Sequence, residues 1–354
     1  MDTGQLIPTP DLIPVAWGWL EFLLLLTFVL HLLFMNAMLG SALLGFIGSL
    51  GRPGRGERNG TLAGRLPFLI AFTVNTGVAP LLFLQVLYGH LAYTSSILMA
   101  PWWLAIIGIL LVLYYAVYLC CLRFPHPGLV RTVLLGLACL GLLIIGFLFT
   151  NNMSLMIAPD RWIAWLHDPS SPLFNLGDPT LAPRYLHFLV ASLAVGGLVL
   201  VLFNSRRARD GEETAAGRVR RGFKIFAWAT VVQIGVGLWW LMALPREVML
   251  LFMGGNPLAT ILLLVGLAAV ALTLTMAFQH RLRSTLTGLV ATICLMAGMR
   301  DLVRQAYLEP WFHPADLRVD PQYGPMLLFA VTLVVGLAVL AYMLRLGARA
   351  GREA

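Results

Sequence analysis

Residues 183–197 read PRYLHFLVASLAVGG. Arg184 opens the run at what should be a membrane surface, and His187 sits one turn further into an otherwise apolar helix. An ionisable ring inside a hydrophobic span is costly, which makes it a functional candidate by default. A second run, HLLFMNAMLG from His31, has the same outline: in both, glycine follows the histidine nine residues later, at Gly40 and Gly196. Two embedded histidines in matching positions imply a membrane protein made of two related halves.

Working outward, the chain has 354 residues, of which 59% are hydrophobic and only 11% charged. Soluble domains do not have this composition. Apolar runs of about 20 residues, the length needed to cross a bilayer, recur at 17–40, 67–89, 102–122, 129–157, 184–204, 223–244, 257–279, 285–306 and 325–346. The expected fold is an all-α polytopic membrane protein of nine transmembrane helices, two four-helix bundles plus one. It forms a single membrane domain over 1–354, with a pseudo-repeat of 15–160 and 183–306 and a ninth helix at 325–346. Cationic loops stay on the cytoplasmic side. Only Arg161, Arg184, Arg246, Arg300, Arg304 and Arg318 fall on one side, with the acids Asp160, Asp168, Asp178, Glu247, Asp301, Glu309, Asp316 and Asp320. The rest of the 24 basic residues, including Arg52, Arg55, Arg58 and the 206–224 hairpin, fall on the other. The N-terminus is therefore expected outside and the C-terminus inside. The net charge of +8 reads as topology and lipid contact, with no nucleic acid partner. Asp2 and Asp11, standing where a signal peptide would be basic, argue against a cleaved signal. The four cysteines make neither a CxxCH haem-attachment motif nor zinc spacing. The expected location is integral to a membrane, the bacterial inner (cytoplasmic) membrane.

The remaining polar residues gather toward the outer side: Glu21, His90, Asn151, Asn152, Met249, Met253, Arg300, Asp301 and Arg304. A haem needs an axial nitrogen or sulfur, an apolar slot, and cations for its propionates. His187 supplies a nitrogen and Met253 an opposing sulfur, while Arg300 and Arg304, four apart, share a helix face suited to propionates. Blander readings stand beside these. A membrane histidine also bonds a helix carbonyl across a bundle, glycines also serve close packing, and the arginines also serve as a surface anchor. Glu21 either pairs with one of those arginines or faces interfacial water.

The runs FVLHLLFMNAMLG (28–40), with Thr27 before it and Phe34 and Gly40 within it, and PRYLHFLVASLAVGG resemble the first- and fifth-helix motifs of the large haem-bearing subunit I of cytochrome bd quinol oxidases. NNMSLMIAP (151–159) resembles the close of that family's fourth helix; TGVAPLLFLQVLYGHLAY and MAPWWLAIIG are similar to its second and third more loosely. The resemblance covers about residues 15–205. It implies nine spans with the N-terminus outside, His31 as ligand to a haem of the oxygen-reducing pair, and His187 as ligand to a low-spin haem b near quinol. The sixth ligand would be a methionine early in span seven, Met253 or else Met249.

Departures from the family narrow the expectation. Its third helix carries two glutamates, whereas 102–122 here has no carboxylate, and its long quinol loop is reduced to LPREVMLLFMGGN (244–256). The expected function is a haem b-binding electron-transfer subunit of a respiratory complex. It would work with other membrane subunits and pass electrons between quinol and an outer-side cytochrome. A working quinol:oxygen oxidoreductase subunit, or a haem-free quinol-docking anchor or transporter, are the alternatives.

Overall fold

Within hydrocarbon a backbone N–H or C=O finds no water, so an apolar chain must satisfy itself as helix. The computed structural model describes residues 6–50, 60–126, 128–167 and 174–353. Asp2, Arg52, Arg55, Arg58 and Asp168, which entered the sequence reading, lie outside them. Among the described residues nine helices are long and apolar enough to cross a membrane. They are α1 (Trp17–Ser49), α2 (Leu66–Leu98), α3 (Ala100–Leu122), α4 (Leu129–Met156), α5 (Leu181–Arg209), α6 (Glu213–Ala243), α7 (Pro257–Phe278), α8 (Leu282–Leu308) and α9 (Tyr323–Glu353). Hydroxyls inside the spans bond back to their own helix: Thr27 to the Leu23 carbonyl, Thr73 to Leu69 and Thr230 to Phe226.

Several helices outrun their hydropathy. α1 continues to Ser49 rather than residue 40, α2 to Leu98 rather than 89, and α6 begins at Glu213 rather than 223. The apolar signal stops where the lipid does, but a hydrogen-bonded helix carries on into the charged interface.

Each half pairs its first helix with its second and fourth, its third with its fourth, and its second with its third. The halves meet where α1 crosses α5. There a Cβ added to Gly196 would stand 2.6 Å from the Gly40 carbonyl carbon and 2.8 Å from its Cα; one added to Gly40 would stand 2.8 Å from the Gly196 Cα. One turn above, the Ser192 hydroxyl donates to Asn36 Oδ1 at 2.7 Å, both side chains being buried. Asn36 lies five residues after His31, and Ser192 five after His187. Equivalent positions therefore meet each other, as at a two-fold interface between identical subunits.

At the outer end the halves share an apolar cluster of Ile13, Leu20, Leu24, Leu87, Tyr88, Met156, Trp162, Leu308 and Phe312. The segment before α1 is pinned to the one before α9, with Ile13 N–H donating to the Arg318 carbonyl (3.0 Å) and Asp320 N–H to that of Ile13 (2.9 Å). α9 stands apart: none of its apolar window is buried against the rest of the described chain. On the opposite side, the hairpin between α5 and α6 is closed by an exposed Arg207–Glu212 pair at 2.8 Å. The Thr214 hydroxyl, and then Arg207, hold the Glu212 carboxyl below its usual range.

This arrangement makes an expectation testable. A reporter active only outside the membrane is expected to work when fused after Trp165 or Trp311 and to fail when fused within 206–221. The reverse pattern would contradict the charge-based orientation.

Candidate functional site

The two histidines sit in matching surroundings. On α1, His31 Nδ1 lies 3.2 Å from the Thr73 carbonyl of α2. A carbonyl only accepts, so Nδ1 carries the hydrogen and Nε2 is left as a lone-pair donor. A Cβ at Gly77, one turn above Thr73, would stand 2.8 Å from His31 Cε1 and 3.0 Å from Nδ1. On α5, a Cβ at Gly237 of α6 would stand 3.3 Å from His187 Cε1 and 3.6 Å from Nδ1. In both halves the Cε1–Nδ1 edge of the ring faces a glycine of the next helix. The halves differ in one respect: His187 Nδ1 is buried with no hydrogen-bond partner.

Beside His187 lies Trp240 of α6, with ring centroids 5.7 Å apart, and the Arg184 guanidinium lies 5.7 Å from the Trp240 ring. Trp240 Nε1 and Arg184 Nε are also buried without a partner. Arg184 donates from Nη2 to the Thr180 hydroxyl (3.1 Å), which in turn donates to Asp178 (2.8 Å). Three unsatisfied polar atoms between two helices are unusual, since buried polar groups are nearly always bonded.

Toward α8 the charges divide into paired and unpaired. Arg304, 5% exposed, forms an ion pair with Asp301 and lies 3.8 Å from Glu21 of α1. Gln305 donates to Glu21 and to Asp301, each at 2.8 Å, so the two carboxylates are clamped together. The Arg304 guanidinium also lies 4.3 Å from the ring of fully buried Tyr88, at which α2 departs from helical geometry. Arg300 is different. It lies 4.5 Å from the Phe28 ring and has no carboxylate partner among the described residues, yet it is within electrostatic reach of Arg304 and Arg184.

The sequence-predicted residues therefore separate. His187, Arg184 and Trp240 come together, and Arg300 stands apart from them over the Phe28 ring. Arg304 does not share Arg300's surroundings, because it pairs with Glu21 and Asp301; of the two readings for Glu21, pairing with an arginine is the one found. Met253 is 55% exposed, on a wide π-type turn (Leu251–Gly255) in which Gly254 takes φ +106°, a conformation suited to glycine. Met249 is half-buried and packs in the apolar cluster that also includes Trp240. Among the described residues no cluster of three or more His, Cys, Asp or Glu could hold a bare metal ion. Gly77, Gly237, Trp240 and Gln305 were missed from the sequence. Only Gln305 carried a signal, a polar residue one turn beyond Asp301.

The Arg304 clamp makes its own prediction. Asp301→Leu leaves a buried guanidinium short of its nearest anion, a loss of about 3–5 kcal/mol. A clear drop in the thermal unfolding midpoint of the detergent-solubilised protein is expected, and a smaller one for Glu21→Gln, which keeps an acceptor. Equal midpoints for Asp301→Leu and wild type would mean that the clamp contributes nothing.

No protein-family model matches the chain, and no curated protein matches it.

Proposed function

We propose that this chain is a haem b-binding, integral membrane electron-transfer subunit of a respiratory complex. It passes electrons between quinol and a cytochrome at the outer face of a bacterial inner membrane. The observation that carries the reading is the pair of embedded histidines, related by the Gly40–Gly196 crossing, each with the same ring edge against a glycine of the neighbouring helix. The resemblance of their flanking motifs to subunit I of cytochrome bd quinol oxidases supports it.

The residues fit the group on three counts. His31 has its Nδ1 engaged and its Nε2 available, the arrangement ligating histidines adopt. His187 sets the same ring edge against Gly237 that His31 sets against Gly77. Arg300, without a carboxylate of its own, and Arg184 beside Trp240 are the cations suited to propionates, in place of the Arg300–Arg304 pair. Of the two methionines, Met249 is better placed than Met253 for a sixth ligand, being packed into the bundle with Trp240. A bound haem b would supply reversible one-electron chemistry, with its potential set by axial ligation and burial. What the chain supplies is a dry, helix-walled setting, two imidazoles held against glycines, and cations at the outer rim. α3 offers no carboxylate for bringing protons to a buried oxygen-reducing centre, so electron transfer is the favoured role over oxygen reduction.

A pyridine haemochrome spectrum of the purified protein tests the proposal. A b-type spectrum is expected. A protein without a Soret band would leave the docking anchor or transporter as the reading.

A further inference from the structure

The difference between the two halves at their histidines identifies a further residue. In the first half, the group bonded to His31 is the carbonyl of Thr73, four residues before Gly77. In the second half, the residue four before Gly237 is Gln233. Gln233 is 8% exposed, and its Oε1 is a buried acceptor with no donor. His187 Nδ1, against the same face of α6, is a buried nitrogen with no partner. A nitrogen without a partner stands in the place of His31, and an oxygen without a donor is carried by the residue in the place of Thr73.

We propose that Gln233 is the positioning residue for His187. Its Oε1 accepts the His187 Nδ1–H, as the Thr73 carbonyl accepts that of His31. The pairing satisfies two buried polar atoms, which are costly while unsatisfied. It also fixes the tautomer in which Nε2 holds the lone pair, leaving that nitrogen to face a ligand. An acceptor on the far ring nitrogen raises the basicity of the ligating one, so Gln233 acts on the iron through His187 without touching it. This role rests on the haem reading, whereas the hydrogen bond itself does not.

The test compares Gln233→Leu and Gln233→Glu with wild type in the purified, full-length protein. With haem content measured first, the ratio of reduced to oxidised haem is read at a fixed applied potential. Loss of the acceptor in Gln233→Leu makes the ligating nitrogen less basic and is expected to raise that ratio severalfold, a tenfold rise being about 59 mV for one electron. Gln233→Glu, which keeps an acceptor, is expected to hold the ratio at or below wild type. An unchanged ratio in Gln233→Leu overturns the proposal, as does a rise of the same size in both variants, which repacking alone would give. Should wild type carry no haem, the functional reading fails separately, and the hydrogen bond is read by NMR of isotope-labelled histidine. A bonded Nδ1–H signal from His187 that is lost in Gln233→Leu supports the pairing; a spectrum identical in both chains overturns it.

Discussion

Gly196→Val is expected to yield little or no monodisperse protein. The first atom of the new side chain would stand 2.6 Å from the Gly40 carbonyl carbon and 2.8 Å from its Cα. Those are backbone atoms of a long helix and cannot swing aside as a side-chain tip can. Relief requires α1 and α5 to part, and their crossing is the main junction between the halves. Parting them also stretches the Asn36–Ser192 hydrogen bond one turn away. Overpacking a core costs about 1–3 kcal/mol even where side chains can adjust, and here the obstacle is main chain, so the upper end or beyond is expected. Gly40→Val should fail in the same way. Because both substitutions strike one contact, the double variant should cost much less than the two single losses added together. Size-exclusion profiles and thermal unfolding of the solubilised variants provide the measurement. A Gly196→Val protein that unfolds with the wild-type midpoint would show that α1 and α5 do not cross there.

The second large effect is at His187. Under the proposed function, His187→Ala loses one haem per chain while the helices stay assembled. The ring packs against Gly237 and Trp240, and the one bond proposed at its Nδ1 is a single side-chain pair with Gln233, so its removal leaves the contact between α1 and α5 untouched. Haem per protein, from pyridine haemochrome and protein mass, should drop while helical circular dichroism is retained. The low-spin spectrum should be the part that disappears. Met249→Ala should keep the haem but convert it toward high spin, which Met253→Ala should not do, since Met253 projects from the wide turn. Unaltered haem content in His187→Ala would remove His187 from the ligand set, and a high-spin shift in Met253→Ala alone would reverse the order of the methionines.

How much of this was legible in the sequence depended on the range of the interaction. The spans were readable because hydropathy is local and cumulative; their ends were not, since Arg206, Arg207 and Arg209 remain helical after the apolar signal has stopped. The nine-residue spacing from histidine to glycine was visible, and the crossing it marks is the centre of the fold. Which helix each glycine would meet was not, because α1 and α5 lie some 150 residues apart in sequence and nothing local in either names its partner. Arg300 and Arg304 look alike in the chain. Asp301 pairs with Arg304 rather than with its chain neighbour Arg300, and Glu21 arrives from α1 at the same guanidinium, so among the described residues Arg300 has no carboxylate partner. Met253 stands exposed for a backbone reason, the wide turn at Leu251–Gly255, which a methionine-rich run does not announce.

The equal spacing from each histidine to the central glycine has an electrical consequence. α1 and α5 are separated by an even number of crossings and run in the same sense, so His31 and His187 both stand about 13 Å along their helices from the Gly40–Gly196 crossing. They therefore lie at matching depth on the same side of it. A charge moved across the full membrane does work of about 2.3 kcal/mol for every 100 mV, but a charge passed between two points at one depth does almost none. In a protein of the kind proposed, an electron exchanged between groups held at the two histidines travels along the plane of the membrane. Its distribution between them would be indifferent to whether the cell is energised.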